Sequence, residues 1–444
     1  MPFSHLPALL STCLQSMDRC LHARSRVRVP LLCLGILLAC GRRTVTSWFR
    51  AAGITVEFRA AYNTVWACGK RADWMAVPVL RAVETIIPPG RLRLALDDTP
   101  TRRWGPEIEG AGLHHNPNPG PAGEQFLYGH VWVCLAALAR HPERGTVALP
   151  LLSEVYVRRK DVDAMAPDHR VEFRTKLEMA GELLHWIQTW RGRGRYDSVA
   201  LACDGGYAKR PFLKEAKRLG VVVFSRLPKN ASLRSLPEEP PPGRRGRKPI
   251  YGKRRISLSK RAGQTRGWRQ VECTQYGKRV TKTIKTFLAT WRSASGVIRV
   301  VIVKEEHGWI PYFSTDPDAT PEEVLEMMAD RGAIEGTFKD VKEVWGAEQQ
   351  QVRNLQANKG CFNLNGWMYS QTEAWAWDRP DEELVDRSAS PWDAQPRRPS
   401  HADKRKALRL QVLREQFRQA LTGTVEAERI DEVVESLFAL AQAL

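Results

Sequence analysis

The sequence predicts a mixed α/β protein: one sheet interrupted by a β-rich insertion, with helical regions at both ends. Three observations carry that expectation. Short apolar stretches with strand patterning recur between 91 and 227, and a long amphipathic segment, 168–190, falls between the third and fourth of them. Strand and helix patterns then alternate, as in a mixed sheet with helical crossovers. At 237–249 the composition turns rich in Pro and Gly, "PEEPPPGRRGRKP", before further strand-like stretches follow.

Taken in order, residues 1–88 read as helices: "HLPALLSTCLQSMDRCLHA", the apolar run 29–40, "TVTSWFRAAG" and a long segment ending near "RAVETI". The run "VPLLCLGILLAC" is too short to span a bilayer, so a buried helix explains it and no membrane partner is expected. The corner "CGRRT" resembles that of a helix-turn-helix, which would turn Thr44, Thr46, Ser47 and Arg50 toward DNA; an ordinary helical hairpin with a polar outer face is the alternative. Residues 89–229 hold "RLRLALDD", "QFLYGHVWVCLAAL", "GTVALPLLSEVYV", "SVALACDGG" and "VVVFSRL" as strands. Residues 230–310 form the insertion, 311–378 a second part of the core, and 379–444 a helical tail. In the second part, "TPEEVLEMMADRGAIEGTFKDVKEVWG" reads as one helix, with Thr320 and Glu323 as a capping box and Pro321 at its first position.

Charge narrows the partners. The chain carries 68 Lys+Arg against 49 Asp+Glu, a formal net charge of +19. Such a field favours a polyanion, with nucleic acid the first candidate, although an anionic membrane surface satisfies the same arithmetic. From Arg244 to Lys285 there are fifteen Lys/Arg and a single acid, Glu272. Arg244, Arg245, Arg247, Lys248, Lys253, Arg254 and Arg255 lead this run, and Tyr251, Trp268 and Tyr276 are interleaved with it. Aromatics among cations suit phosphate contact with base stacking; the alternative is a solvated face. The nine cysteines form no metal-binding spacing, and their scatter points to free thiols in a reducing cytosol.

Three places concentrate acids. The strand "RLRLALDD" ends in Asp97 and Asp98, two like charges whose burial needs a counter-charge. The strand "VALACDGG" ends in Asp204, which either binds a ligand or caps the following turn. Arg331, Glu335 and Lys342 follow at steps of four and seven, on one helical face, and a surface ion-pair ladder would explain them too. Two strand-end acids with a third on a later helix is the donor set of a two-metal phosphodiester site, where hard carboxylate oxygens suit Mg²⁺ or Mn²⁺. Two such ions would neutralise the Asp97/Asp98 pair.

These stretches, "LALDDTPTRRWGPEIEGAGLHHNPNPGPAGEQFLYGHVWV", "LACDGGYAKRPFL" with "VVVFSRLPKN", and "STDPDATPEEVLEMMADRGAIEGTFKDVKEVWG", resemble the DDE transposases of bacterial insertion sequences, the RNase H-like group that includes the insertion-sequence-four relatives. The resemblance runs over roughly residues 90–378. It implies an RNase H-like core, with Asp98 as first catalytic aspartate and Asp97 its neighbour, Asp204 as second and Glu335 as the glutamate, together holding two divalent ions. The group's signature, Tyr-x-x-Arg-x-x-x-Glu-x-x-x-x-x-x-Lys, is kept at Arg331, Glu335 and Lys342, whereas Met328 stands in place of the tyrosine. It also implies DNA contact by Arg226, Arg331 and Lys342, and a cytoplasmic protein that works on transposon ends and target DNA as at least a dimer. Two other expectations are an RNase H-like nuclease without strand transfer and a catalytically silent, transposon-derived DNA-binding protein.

Overall fold

The computed structural model describes residues 6–115, 125–192, 194–238, 248–386, 392, 397–421, 430 and 433–434. Arg244, Arg245 and Arg247, and most of the second tail helix expected from the sequence, lie outside them. The chain divides into two compact units, one of residues 1–83, 340–352 and 356–444 and the other of 84–339 and 353–355.

The second unit is built on one mixed sheet. Its strands are β1 (Gly90–Arg102), β2 (Gly112–His115), β3 (Phe126–His141), β4 (Gly145–Tyr156), β5 (Tyr196–Cys203), β6 (Val221–Arg226), β7 (Leu233–Arg234), β8 (Arg255–Ile256), β9 (Arg269–Gln275), β10 (Lys278–Trp291), β11 (Gly296–Glu305) and β12 (Gly308–Ser314). Spatially the order is β2-β3-β1-β5-β6-β12-β11-β10-β7-β8, with β4 on β3 and β9 on β10. β1 runs antiparallel to β3 and parallel to β5, and β5 parallel to β6. Helices Lys176–Trp190 and Arg210–Arg218 supply the crossovers that parallel pairing requires. This is the mixed α/β class that the strand and helix order predicts, with the RNase H-like core that the resemblance implies.

The insertion does not interrupt the sheet; it extends it. β12 pairs antiparallel with β6, matching Tyr312 to Arg226 and Ser314 to Phe224, and carries β11 and β10 behind it. Helix Pro321–Arg331 covers the seam. Val324, Leu325 and Met327 share one buried cluster with Ala200, Ala202 and Phe224 of the first strands and with Val271, Cys273, Ile284 and Val301 of the later ones. Burying apolar area from both sets at once makes one body of them. Met328 packs at the edge of the same cluster.

That helix starts as its cap requires, with the Thr320 hydroxyl accepting from Glu323 N at 3.1 Å and Pro321 in the first turn. The reciprocal half of the expected capping box is absent, because the Glu323 carboxylate pairs with Arg91 instead. The single helix expected here is two, Pro321–Arg331 and Ala333–Glu343, separated at Gly332, whose own angles stay right-handed helical.

In the first unit, helices Ala8–Asp18, Val29–Leu38, Val45–Ala51 and Phe58–Lys70 pack with Leu355–Trp375 and His401–Leu421. Phe58–Lys70 crosses Leu355–Trp375 at paired glycines: a Cβ on Gly69 would stand 1.8 Å from Gln356 O, and one on Gly360 2.2 Å from Val65 O. The tail helix is docked rather than extended. Arg405 Nη2 donates to Leu37 O at 2.9 Å and Ala39 O at 3.1 Å, closing the carbonyl end of Val29–Leu38. A buried cluster locks it further: Glu373 accepts from His401 Nδ1 at 2.6 Å and Lys404 Nζ at 2.5 Å, while Trp345 Nε1 donates to His401 Nε2 at 2.7 Å. No helix among the described residues is long and apolar enough to cross a membrane.

Candidate active site

Side chains alternate across a strand, so Asp97 and Asp98 of β1 leave the sheet on opposite faces. Each finds its own cation. Asp97 Oδ2 pairs with Arg331 Nη1, both side chains being only 16% exposed, and Asp97 Oδ1 accepts from Asp98 N at 2.9 Å. Asp98 Oδ2 accepts from Lys176 Nζ at 2.5 Å and its Oδ1 from the Tyr207 hydroxyl at 3.2 Å. Lys176 is delivered by a capped helix start, where Thr175 and Glu178 form a reciprocal capping box. Each acid of the pair thus has a basic side chain beside it in the folded chain.

Register decides which aspartate joins the other acids. The last paired residues of β1 and β5 are Leu96 and Cys203, so Asp97 and Asp204 stand level, one residue further along neighbouring parallel strands. Asp204 opens the glycine turn: its Oδ2 accepts from Gly206 N at 2.9 Å, and the residue is exposed. Thus the capping alternative holds for one carboxylate oxygen. Asp98, expected to lead the site, meets Lys176 and Tyr207, while Asp97, on the other face of the strand, stands level with Asp204.

Glu335 reaches this pair through Arg331, whose Nη2 donates to Glu335 Oε1 at 3.2 Å across one helical turn. The Arg331 guanidinium therefore ties the strand acid to the helix acid. Burial opposes its charge, but Asp97, Glu335 and Asp204 together raise its pKa. Burial pushes Asp97 up to about 6; Arg331 opposes that rise, while Asp98 and Asp204 add to it. The helices bearing Arg331 and Glu335 are themselves pinned to the sheet. Buried Asp330 accepts from Arg140 Nε at 2.7 Å and Thr146 Oγ1 at 2.6 Å, and Thr337 donates to Ala148 O at 2.8 Å.

The other expected residues lie in several places. Arg226, exposed at the end of β6, borders the acids: a Cβ on Gly205 would lie 3.3 Å from its carbonyl oxygen. Lys248, Lys253, Arg254 and Arg255 are all exposed along the insertion. Lys342 belongs to the other unit and pairs there with Glu348 at 3.8 Å. Of the hydroxyls in the expected helix-turn-helix, Thr44 caps its helix by accepting from Ser47 N, and Thr46 meets the Tyr62 hydroxyl at 2.9 Å, while Arg50 is exposed. Trp268 is covered by Lys285, whose ammonium lies 4.8 Å from the ring centroid and donates to Arg261 O and Gln264 O; both work inside the fold. Tyr276 is 75% exposed. His130 is buried, its Nε2 donates to Glu109 O at 2.9 Å, and burial lowers it to about 3, so hydrogen bonding inside the fold accounts for it.

A family model described as DDE superfamily endonuclease matches residues 15–295. The chain belongs to this family. No curated protein matches it. The span that matches the DDE superfamily endonuclease model contains Asp97, Asp98, Asp204 and Arg226, together with the basic run, while Arg331 and Glu335 lie beyond its end. Their place at the acids of this endonuclease therefore comes from the fold, through Arg331.

No motif in the sequence marks Lys176 or Tyr207 as a partner of Asp98. Tyr207 does stand in "CDGGY", three residues after Asp204, and Lys176 opens a helix whose Thr-x-x-Glu cap is legible.

Proposed function

We propose that this DDE superfamily endonuclease is the DNA transposase of an insertion sequence, cutting at the element's ends with Asp97, Asp204 and Glu335 and joining the freed end to target DNA. The observation that carries the reading is the level placement of Asp97 and Asp204 on adjacent parallel strands, with Glu335 tied to them by Arg331.

The donor set decides what ion it suits. Two carboxylates supply hard oxygen donors, and burial pushes Asp97 up to about 6, with Asp98 and Asp204 adding to the rise. Mg²⁺ is commonly held by one or two carboxylates together with substrate phosphates. Asp97 and Asp204 fit that pattern. Among the described residues no three His, Cys, Asp or Glu form a group that could hold a metal ion; with Arg331 drawn to a DNA phosphate, Glu335 would be free to offer a third oxygen donor. A divalent cation, Mg²⁺ or Mn²⁺, supplies charge neutralisation at the scissile phosphate and a more acidic attacking water or hydroxyl.

The chain's own groups do the rest. Arg331, held by acids at rest, is placed to exchange a carboxylate for a phosphate oxygen, which matches its fork equally well. Arg226 and the exposed cations Lys248, Lys253, Arg254 and Arg255 hold the DNA backbone by charge, and Arg50 offers a further contact. Lys176 and Tyr207 hold the Asp98 carboxylate by an ion pair and a hydrogen bond. Joining an end to target requires two ends held together, hence at least a dimer on DNA.

The test is cleavage of DNA carrying the sequences that flank the gene, with Mg²⁺ and with chelator, by wild type and by Glu335→Gln and Asp204→Asn. Metal-dependent nicking at the repeat boundary, lost in both variants, is the expected result. Joining of a pre-cut end separates a transposase from a simple nuclease. Binding without any cleavage by wild type would leave a silent DNA-binding protein.

A further inference from the structure

Three arginines of the first unit converge. Arg43 stands at the corner between helices Val29–Leu38 and Val45–Ala51, and Arg405 and Arg409 lie one turn apart on a face of helix His401–Leu421. Burial, then the charges of Arg43 and Arg409, lower the Arg405 guanidinium to about 10, and Cys40 opposes them. Burial also lowers Arg43, with Cys40 opposing and Arg409 adding to the fall. Among the described residues none of the three arginines pairs with a carboxylate, and the buried Nε of each has no hydrogen-bond partner.

The fold fixes two of these side chains without neutralising them. Arg405 is 8% exposed; its Nη2 donates to backbone carbonyls of helix Val29–Leu38, and its guanidinium carbon lies 5.0 Å from the Trp345 ring centroid. Arg43 is held through its backbone, where its N donates to Gln349 Oε1 at 2.5 Å and its O accepts from Gln350 Nε2 at 2.8 Å. Its Nη1 donates to Glu343 O at 3.3 Å. Carbonyls and a ring face offer partial charge only. Arg409 makes no hydrogen bond or ion pair among the described residues. Gathering three like charges, one of them buried, costs free energy that a bound anion would recover.

We propose that Arg43, Arg405 and Arg409 bind a small tetrahedral oxyanion of the inorganic phosphate type. Guanidinium forks match the oxygens of such an anion, and donors already fixed by the fold lose little freedom on binding it. Size follows from burial: a duplex has no access to a side chain 8% exposed, whereas a single phosphate is small enough to reach it. Once bound, the anion links the tail helix to the corner that precedes Val45–Ala51 by charge. The site does not depend on the transposase reading.

The experiment uses the full chain, with inorganic phosphate as the probe and chloride holding the ionic strength constant. Calorimetric titration reports affinity, and thermal melting reports the fold. In wild type, phosphate at about tenfold excess over its dissociation constant raises the melting temperature by about 3 °C. Arg409→Gln, relieved of like-charge repulsion, melts at or above wild type without phosphate, yet binds phosphate about tenfold more weakly. Arg43→Gln, whose backbone anchors remain, weakens binding alike. Arg59→Gln removes an exposed charge from another helix of the same unit and binds as wild type does. The proposal is overturned if wild type and Arg409→Gln gain equally from phosphate, which would be a salt effect on the whole surface, or if Arg59→Gln loses as much as Arg409→Gln. Protection by a short DNA duplex with none by phosphate would also overturn it, assigning the three arginines to nucleic acid.

Discussion

Arg331 and Asp97 are ion-paired across 234 residues of sequence, and the same guanidinium holds Glu335 one turn along its own helix. The pair joins the strand that starts the sheet to the helix that follows the insertion. It also places a cation in the space between acids that a divalent ion would otherwise attract.

Removing that cation should be felt in the fold. Arg331→Ala leaves Asp97, 16% exposed, without its partner, and breaking a largely buried pair costs about 3 kcal/mol. Arg331→Lys restores a charge but only one arm of the fork, so it should fall between. Equilibrium denaturation of the three proteins checks the order; an unchanged Arg331→Ala would show that the pair contributes nothing.

Acid should loosen the first unit at Glu373. Burial opposes its charge, but His401 and Lys404 bring it down to about 2, below its usual 4.5. A carboxylate depressed in this way contributes stability that is whole above 4.5 and disappears as pH falls toward 2. The contribution is about 3 kcal/mol by the pKa difference. Stability of wild type should therefore drop through that window, and Glu373→Gln, weaker at neutral pH, should drop less. Parallel curves for the two proteins would be the contrary outcome.

Glycine spacing makes a sharp steric test. Gly69→Ala drives a methyl to 1.8 Å from Gln356 O, a backbone atom that cannot step aside, and should cost about 3 kcal/mol or more. Gly263→Ala meets nothing within 4 Å and should stay within about 1 kcal/mol of wild type. Thermal melting of both variants is sufficient.

Lys253, Arg254 and Arg255 are exposed together near β8. If all three meet phosphate, changing them to Ala should lower the slope of log affinity against log salt by about 2 to 3, at about 0.9 per contact. Fluorescence anisotropy over a range of salt measures that slope, and an unaltered value would move the DNA elsewhere.

Much of this architecture is legible in local sequence because local rules produce it. Alternation and apolar runs mark β1, β5 and β6, and four-residue spacing alone foretells the Arg331–Glu335 contact. What escapes is non-local. Both faces of β1 carry an acid, and only its register with β5 sets Asp97 level with Asp204. Lys176 and Tyr207 reach Asp98 from 78 and 109 residues away. The insertion reads as strands, yet its union with the sheet depends on β12 meeting β6, a pairing no short window contains. Met328 is a residue of the helix–sheet core, which explains an apolar side chain at that position.

The most direct measurement is Mn²⁺ binding, read by electron paramagnetic resonance or calorimetry, for wild type, Asp97→Asn, Asp204→Asn and Asp98→Asn, each first shown to be folded and each loaded with the same DNA duplex. Binding should vanish in Asp97→Asn and Asp204→Asn and persist in Asp98→Asn. Undiminished binding in Asp97→Asn, or its loss in Asp98→Asn alone, would contradict the assignment of Asp97 and Asp204 as the ion-holding pair.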